Sequence, residues 1–312
     1  MGSALVVGDR GSGLTTFVGL LYAAQLRLGT EEGDKFRFSA DRETIRQLEG
    51  IYGELVAGRF PEWDADWDTH PLSFVFAFRT GTFPRLTGAA VHHSGGFASF
   101  RLQFGGISAE SVAELAQHDA ILELSTRRLF ESPVVLPLID ASRLRPIDPT
   151  TNSRPLDVSD RRLAATLGLL SRYLSLGRQR KPQDLYPLFV VTKFDQCPPG
   201  TLARLLVPPS PPASWQSGVR EAVGSRILSA YFPHTLRLLE SAKGMRGSRI
   251  APPQWFFSGL QLVPGSAGVR IARRSRIPVG GWEPEYPFEE YRTLIHQLGV
   301  LADRFPGEDE GS

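Results

Sequence analysis

The sequence predicts an α/β fold with a mainly parallel central sheet covered by helices on both faces, and three observations predict it. Short apolar runs at Ala4 to Val7, Val134 to Ile139, Tyr186 to Val191 and Trp255 to Ser258 have the character of strands buried on both sides. Longer stretches between them carry apolar residues at helical spacing. A glycine-spaced loop joins the first run to the first such stretch, giving the strand, loop, helix order of a parallel-sheet unit.

Taken in order, Ala4 to Val7 reads through Gly8 to Gly13 into a helix from about Thr15 to Leu28, with Phe17, Leu20, Leu21, Ala24 and Leu28 on one face. Residues 29–71 are too long for a simple connection and hold a helix from Asp41, its expected N-cap, to about Ala57. Within that segment Asp64, Asp66 and Asp68 alternate like the opening of a calcium loop, but Thr69 stands for the required glycine and Val75 for the closing glutamate. Leu72 to Arg79 and Phe97 to Phe104 alternate as a hairpin. His92 and His93 in its turn have no ligand partners at metal spacing, which favours a solvated tip.

A short helix is expected over Ser108 to His118, then the strand ending at Asp140, a polar loop from Arg143 to Arg154, and an amphipathic helix from about Val158 to Leu176. The strand from Tyr186 runs directly into Thr192-Lys193-Phe194-Asp195. A proline-rich insertion is expected at about 196–214, and within it Val207 to Ser214 reads as an extended surface segment or, less simply, as a ligand for a proline-recognising domain. Helices follow from about Val219 to Tyr231 and, after a break at Pro233, to Lys243. Beyond the last buried strand lie a basic hairpin with Arg270, Arg273, Arg274 and Arg276 and a final helix, Phe288 to Phe305, with Pro287 at its first turn. The arginine run suits either an acidic partner or an ordinary exposed hairpin. The expected organisation is a single domain over 1–307 and an acidic tail over 308–312.

Composition narrows the class. Lys and Arg total 35 against 33 Asp and Glu, a net charge of +2, too balanced for bulk nucleic-acid binding. No apolar run approaches the roughly 18 to 20 residues of a membrane span, so no integral membrane segment is expected. The first strand begins at Ala4, leaving no room for a secretory signal, and Val6 stands where a myristoylation motif needs Ser or Thr. With Cys197 as the only cysteine there is no internal disulfide, and a cytoplasmic location is expected. Lysine occurs only at Lys35, Lys181, Lys193 and Lys243, and one of these falls inside a motif.

Ala4 to Thr16, ALVVGDRGSGLTT, fits the phosphate-loop pattern G-x-x-x-x-G-K-[ST] through Gly8, Gly13 and Thr15, with Leu14 in the lysine position. The plainer alternative is a glycine-rich turn that holds no ligand. Thr192-Lys193-Phe194-Asp195 matches [NT]-K-x-D. A carboxylate at Asp195 accepts two hydrogen bonds from guanine N1 and N2, donors that adenine lacks, and the Lys193 stem suits a base plane.

Together the two motifs resemble the P-loop GTPase superfamily, TRAFAC class, and most nearly its enlarged bacterial and archaeal GTPase-like members. The resemblance spans nearly the whole chain and implies a three-layer P-loop GTPase-like fold, a single G-like domain with residues 29–71 as an enlarged first switch, GTP or GDP as ligand, and Mg²⁺ beside it. It implies nucleotide contacts from Gly8, Asp9, Arg10, Gly11, Ser12, Gly13, Leu14, Thr15 and Thr16, from Thr192, Lys193 and Asp195, and from Ser258, Gly259 and Leu260, a loose match to S-A-[KL]. Thr15 and Thr69 correspond to the hydroxyls that meet Mg²⁺.

The departures cluster on hydrolysis. Leu14 removes a cation from the phosphates, Gln103-Phe104-Gly105-Gly106 stands where the family has D-x-x-G, and Ile107 stands where a water-orienting glutamine often sits. Phosphoryl transfer depends on such charges, whereas phosphate binding retains the backbone amides of the loop. Candidate replacements are Arg10 for the lysine and Asp64, Asp66 and Asp68 beside Thr69 for the missing carboxylate, each weighed against plain solvent exposure. The first expectation is a guanine-nucleotide-binding pseudo-GTPase with weak or absent hydrolysis, acting as a switch or regulatory subunit beside a protein partner such as an active GTPase relative. The second is a nucleotide-free interaction scaffold on the same fold, and the third an active GTPase that uses a substitute cation.

Overall fold

A computed structural model describes residues 2–9, 11–33, 36–61, 72–79, 97–104, 132–145, 156–176, 184–207, 215–242, 250–265, 268–275 and 281–304. The chain is mixed α/β and forms two compact units, one of Met1–Ala4, Thr15–Phe104 and Leu260–Ser312, the other of Leu5–Leu14 and Gly105–Gly259.

In the first unit, α1 (Leu14–Glu32) buries Phe17, Leu20, Leu21, Ala24 and Leu28, as their spacing predicts, and continues past Leu28. A Cβ added at Gly19 would lie 2.6 Å from Ile51 and 2.7 Å from Leu55, so α1 and α2 (Arg42–Val56) meet where a side chain is absent. Asp41 caps α2 as expected, its carboxylate accepting from the Thr44 amide at 2.8 Å.

Between these helices lies a strand the sequence reading did not expect, β2 (Phe36–Ala40), which pairs antiparallel with β3 (Leu72–Arg79). β3 and β4 (Phe97–Phe104) form the expected hairpin pair, Leu72 opposite Phe104 and Arg79 opposite Phe97. The sheet is therefore less parallel than predicted. β2 is held by aromatic packing, Phe38 lying 5.3 Å from Phe74 and 5.7 Å from Phe76 between ring centroids.

The basic stretch forms two short antiparallel pairs, β8 (Leu262–Gly265) with β9 (Gly268–Ile271) and β10 (Arg273–Ser275) with β11 (Trp282–Pro284). The last helix, α7 (Phe288–Arg304), buries Phe288, Tyr291, Leu294, Leu298 and Leu301. It meets α1 through Phe17 on Tyr291 (5.8 Å between centroids), Arg27 over the Phe288 ring at 3.8 Å, and His296 to Glu32 at 2.9 Å.

In the second unit the strand order is β1 (Gly2–Val7, of which Leu5 onward belongs here), β5 (Val134–Asp140), β6 (Tyr186–Thr192) and β7 (Gln254–Phe257). β5, β6 and β7 run parallel, with Asp140 opposite Thr192 and Val191 opposite Phe257. Helices α3 (Asp157–Leu176), α4 (Pro199–Arg204), α5 (Ser217–Tyr231) and α6 (Pro233–Ala242) complete this unit's described elements. Their core includes Leu163, Leu167, Leu170, Phe189, Ile227 and Trp255.

Pro233 ends α5 and starts α6, as expected, and the second event has an identifiable cause. Asp160 of α3, fully buried, accepts from the His234 amide at 2.8 Å, the Thr235 amide at 2.8 Å and the Thr235 hydroxyl at 2.7 Å. One helix thereby supplies the cap of another.

Several expectations lie outside the described residues: Arg10, Asp64, Asp66, Asp68, Thr69, His92, His93, Gly105 to Ile107, the helix at Ser108 to His118, Arg276, and residues 208–214 of the proline-rich insertion, whose earlier part holds α4. Among the described residues no helix is long and apolar enough to cross a membrane.

Candidate functional site

The strands of the second unit deliver their C-terminal ends to one place, where open α/β sheets ordinarily bind ligands. β1 ends at Val7 and the chain turns through the glycine loop. Gly11 and Gly13 have φ of +80° and +85°, a region open to glycine at little cost. The Ser12 amide donates to the Asp9 carbonyl at 2.9 Å. Gly8 leaves room for its neighbours: a Cβ there would lie 2.5 Å from Ser12 Oγ and 3.1 Å from Leu138 Cβ, and both would have to shift. Leu14 opens α1 with its side chain buried. Thr15, buried, and Thr16, half-buried, follow in the first turn of α1; they and the buried Leu260 belong to the first unit.

The second motif closes on this loop. β6 ends at Thr192, whose hydroxyl donates to the Ser12 carbonyl at 2.5 Å and lies 3.1 Å from the Ile139 carbonyl. Lys193 adopts the left-handed conformation, φ 50° and ψ 37°, which costs any residue that carries a Cβ. Its ammonium donates to the Gly11 carbonyl at 2.5 Å and to Asp140 Oδ2 at 2.8 Å. The stem passes over Gly13, where an added Cβ would stand 3.6 Å from Lys193 Cε. Gly11, Ser12 and Gly13 are thus joined to Thr192 and Lys193.

The rest of the motif is fastened to Ser258 and Gly259. The Phe194 amide donates to the Ser258 carbonyl at 3.0 Å, and the Ser258 amide donates to the Val191 carbonyl at 2.8 Å. The Phe194 ring anchors the turn between Trp215 and Phe257, at 5.7 and 4.9 Å between centroids. Asp195 is exposed next to it. A Cβ at Gly259 would come within 2.7 Å of Asp195 Oδ1 and 3.2 Å of its amide nitrogen, so an alanine there collides with Asp195 as it stands.

Four residues absent from the sequence-based site surround the loop. Asp140 Oδ1 accepts from the Ser142 amide and hydroxyl at 3.0 and 2.6 Å, leaving Oδ2 to Lys193. Asp9 Oδ2 accepts from the Ser159 hydroxyl at 2.5 Å. Two arginines approach the same carboxylate, Arg143 at 3.7 Å and Arg162 at 4.0 Å. Asp9, Asp140, Arg143 and Ser159 line a shallow cleft together with Gly8, Ser12 and Leu138. Ser12 Oγ, buried in it, has no hydrogen-bond partner among the described residues. Asp140 was findable as the polar residue that ends a buried strand. No spacing in the sequence ties Arg143, Ser159 or Arg162 to residue 9.

This arrangement offers amides, hydroxyls and cations to an anion. Burial pushes the Cys197 thiol up to about 11, which disfavours the thiolate. Among the described residues no three His, Cys, Asp or Glu side chains gather in a way that would hold a metal ion. No family model matches the chain, and no curated protein matches it.

Proposed function

We propose that the chain is a cytoplasmic guanine-nucleotide-binding protein on a three-layer P-loop GTPase-like fold, with weak or absent hydrolysis, acting as a switch or regulatory subunit. The observation that carries this reading is the Lys193 bridge, which ties a base-reading motif to a phosphate loop distant in the chain. A strained lysine held by two strong acceptors, with a carboxylate exposed two residues later, is a costly arrangement for a core that needs only to pack. In this reading the loop amides and Ser12 Oγ meet phosphate, Asp195 reads guanine, and the Ser258-Gly259 backbone supports the base.

Mg²⁺ fits less well. When bound it would neutralise phosphate charge, and Thr15 is the described residue that would meet it. Gln103, a neutral amide near the end of β4, stands where the family has a carboxylate, so hydrolysis is expected to be slow. Regulation through a protein partner, such as an active relative that supplies a cation in trans, accords with that loss.

One observation favours a second reading, a nucleotide-free scaffold: the buried Leu14, an apolar side chain that serves the core in the lysine's place. Denaturing the purified chain and chromatographing what it releases, then titrating it with GDP, GTP and ADP with and without Mg²⁺, separates the two. Binding of guanine nucleotides in preference to ADP supports the first; no binding at millimolar ligand leaves the scaffold.

A further inference from the structure

We propose that the two short strand pairs β8–β9 and β10–β11, with the loop that ends α2, form a docking surface for an acidic peptide segment of a partner protein. Arg270 and Arg273 meet its carboxylates, and Trp282 meets its apolar side chains. The surface lies wholly within the first unit, and the proposal is independent of nucleotide binding.

Composition sets the sign of the charge. Residues 260–284 contain four arginines, Arg270, Arg273, Arg274 and Arg276, and one acidic residue, Glu283. Glu283 is buried and already taken, since Arg274 Nε donates to it at 2.6 Å across the β10–β11 pair. Arg270 and Arg273 are exposed, and among the described residues neither meets a carboxylate. Arg273 donates instead to the Val56 carbonyl at 3.2 Å and lies 5.4 Å from the centre of the Trp282 ring.

The other cation is seated by a missing side chain. Arg270 stands opposite Val263, and a Cβ added at Gly265 would lie 2.7 Å from Arg270 Cγ, 2.9 Å from its Cδ and 3.0 Å from its Nε. The arginine stem therefore lies along the strand pair in the space that a side chain at residue 265 would take. A cation already laid on its support loses less freedom when a partner arrives.

Apolar exposure gathers on the same segments. Phe60, Val263, Val269 and Trp282 are the exposed large apolar residues of the first unit among those described, Trp282 being 53% exposed. Backbone bonds hold their supports together, the Ile271 amide donating to the Gly58 carbonyl at 3.1 Å and Arg273 to Val56. Single exposed apolar residues need no explanation, but a group of them around a tryptophan stacked with arginine has the composition of a protein contact.

The charge count selects the occupant. Two available guanidinium groups suit the carboxylates of a short acidic segment. A membrane surface calls for about 4–8 clustered basic residues, and a nucleic acid for a strip of cations along its phosphates.

The test uses the full chain and fluorescence anisotropy with labelled peptides of one length. One is rich in Glu and Asp around a central leucine, one has Gln in place of each acid, and one has Lys. A single-stranded oligonucleotide and phosphatidylserine vesicles are titrated in parallel. Variants are Arg270→Glu, Arg273→Glu and Trp282→Ala, with Arg46→Glu, at an exposed arginine of α2, as the charge-matched control. Each is checked for an unchanged thermal midpoint. The acidic peptide is expected to bind in preference to the other two, more weakly as salt rises, and about tenfold more weakly in each of the three surface variants. The control is expected to bind it within about twofold of wild type. No binding of the acidic peptide, an affinity unchanged by both charge reversals, or an equal loss in Arg46→Glu overturns the proposal. Tighter binding of the oligonucleotide or the vesicles than of the acidic peptide overturns it as well, and gives the surface to nucleic acid or to lipid.

Discussion

The ammonium of Lys193 lies 2.5 Å from the carbonyl oxygen of Gly11, 182 residues away in the chain, and 2.8 Å from Asp140 Oδ2. Lys193→Met keeps the stem over Gly13 but leaves the 8% exposed Asp140 carboxylate without its cation. Because Lys193 itself is 30% exposed, the expected loss is modest, about 1–2 kcal/mol, read as a lower urea midpoint at unchanged slope. An unchanged midpoint would mean that the bridge adds nothing to the fold.

Leu14→Lys tests the lysine position directly. The buried leucine gives way to a charge that needs an anion, so without ligand the variant is expected to lose about 1–3 kcal/mol. With GTP present it recovers, and its GTP affinity exceeds that of the wild type by roughly tenfold. Turnover stays slow, because Gln103 and Ile107 are unaltered. Equal GTP affinity in both proteins would separate this loop from phosphate binding.

Asp160 caps α6 from a neighbouring helix with no exposure to solvent. Asp160→Ala leaves two backbone amides and the Thr235 hydroxyl without that acceptor, and about 2–4 kcal/mol of stability is expected to go with it. Asp160→Asn retains one acceptor oxygen and should fall between. Chemical denaturation ranks the three proteins, and an alanine variant as stable as wild type refutes the capping role.

Acid sensitivity follows from the cap of α2. The Asp41 carboxyl is held below its ordinary 3.8, chiefly by the Thr44 amide and next by the Thr44 hydroxyl. A depressed carboxyl pKa means that the unfolded chain binds more protons near pH 4, so the contribution is present above the unfolded value and is lost as pH falls through the lower, folded one. Glu54, lowered mainly by its hydrogen bond from Arg59, acts in the same direction. Asp41→Asn keeps an N-cap acceptor without the titration, and its melting temperature should decline less steeply than wild type between about pH 5 and pH 2. Parallel declines would show that Asp41 does not carry this acid response.

What was legible in the sequence was local. The buried face of α1, the Asp41 cap, the β3–β4 hairpin and the Phe288 to Leu301 stripe each follow from a period or a cap that a short window contains. β2 escaped because Phe36-Arg37-Phe38-Ser39 alternates over too few residues and stands between two helices, where a long connection resembles an insertion. At the candidate site, the two motifs were visible but their junction was not. Only parallel pairing of β5 with β6 brings Asp140 opposite Thr192, and so within reach of Lys193. Only the fold of the loop sets Asp9 against Ser159, Arg143 and Arg162. Likewise nothing in the sequence around Gly259 shows that Asp195 crowds the place a Cβ would take there.

The central claim is that this chain reads guanine through Asp195. Equilibrium titration of the purified protein with GDP and ADP, repeated on Asp195→Asn, tests it most directly. The account predicts that GDP binds in clear preference to ADP and that the substitution reduces this preference by at least about tenfold. Absence of GDP binding, or a preference for GDP that survives in Asp195→Asn, would contradict it.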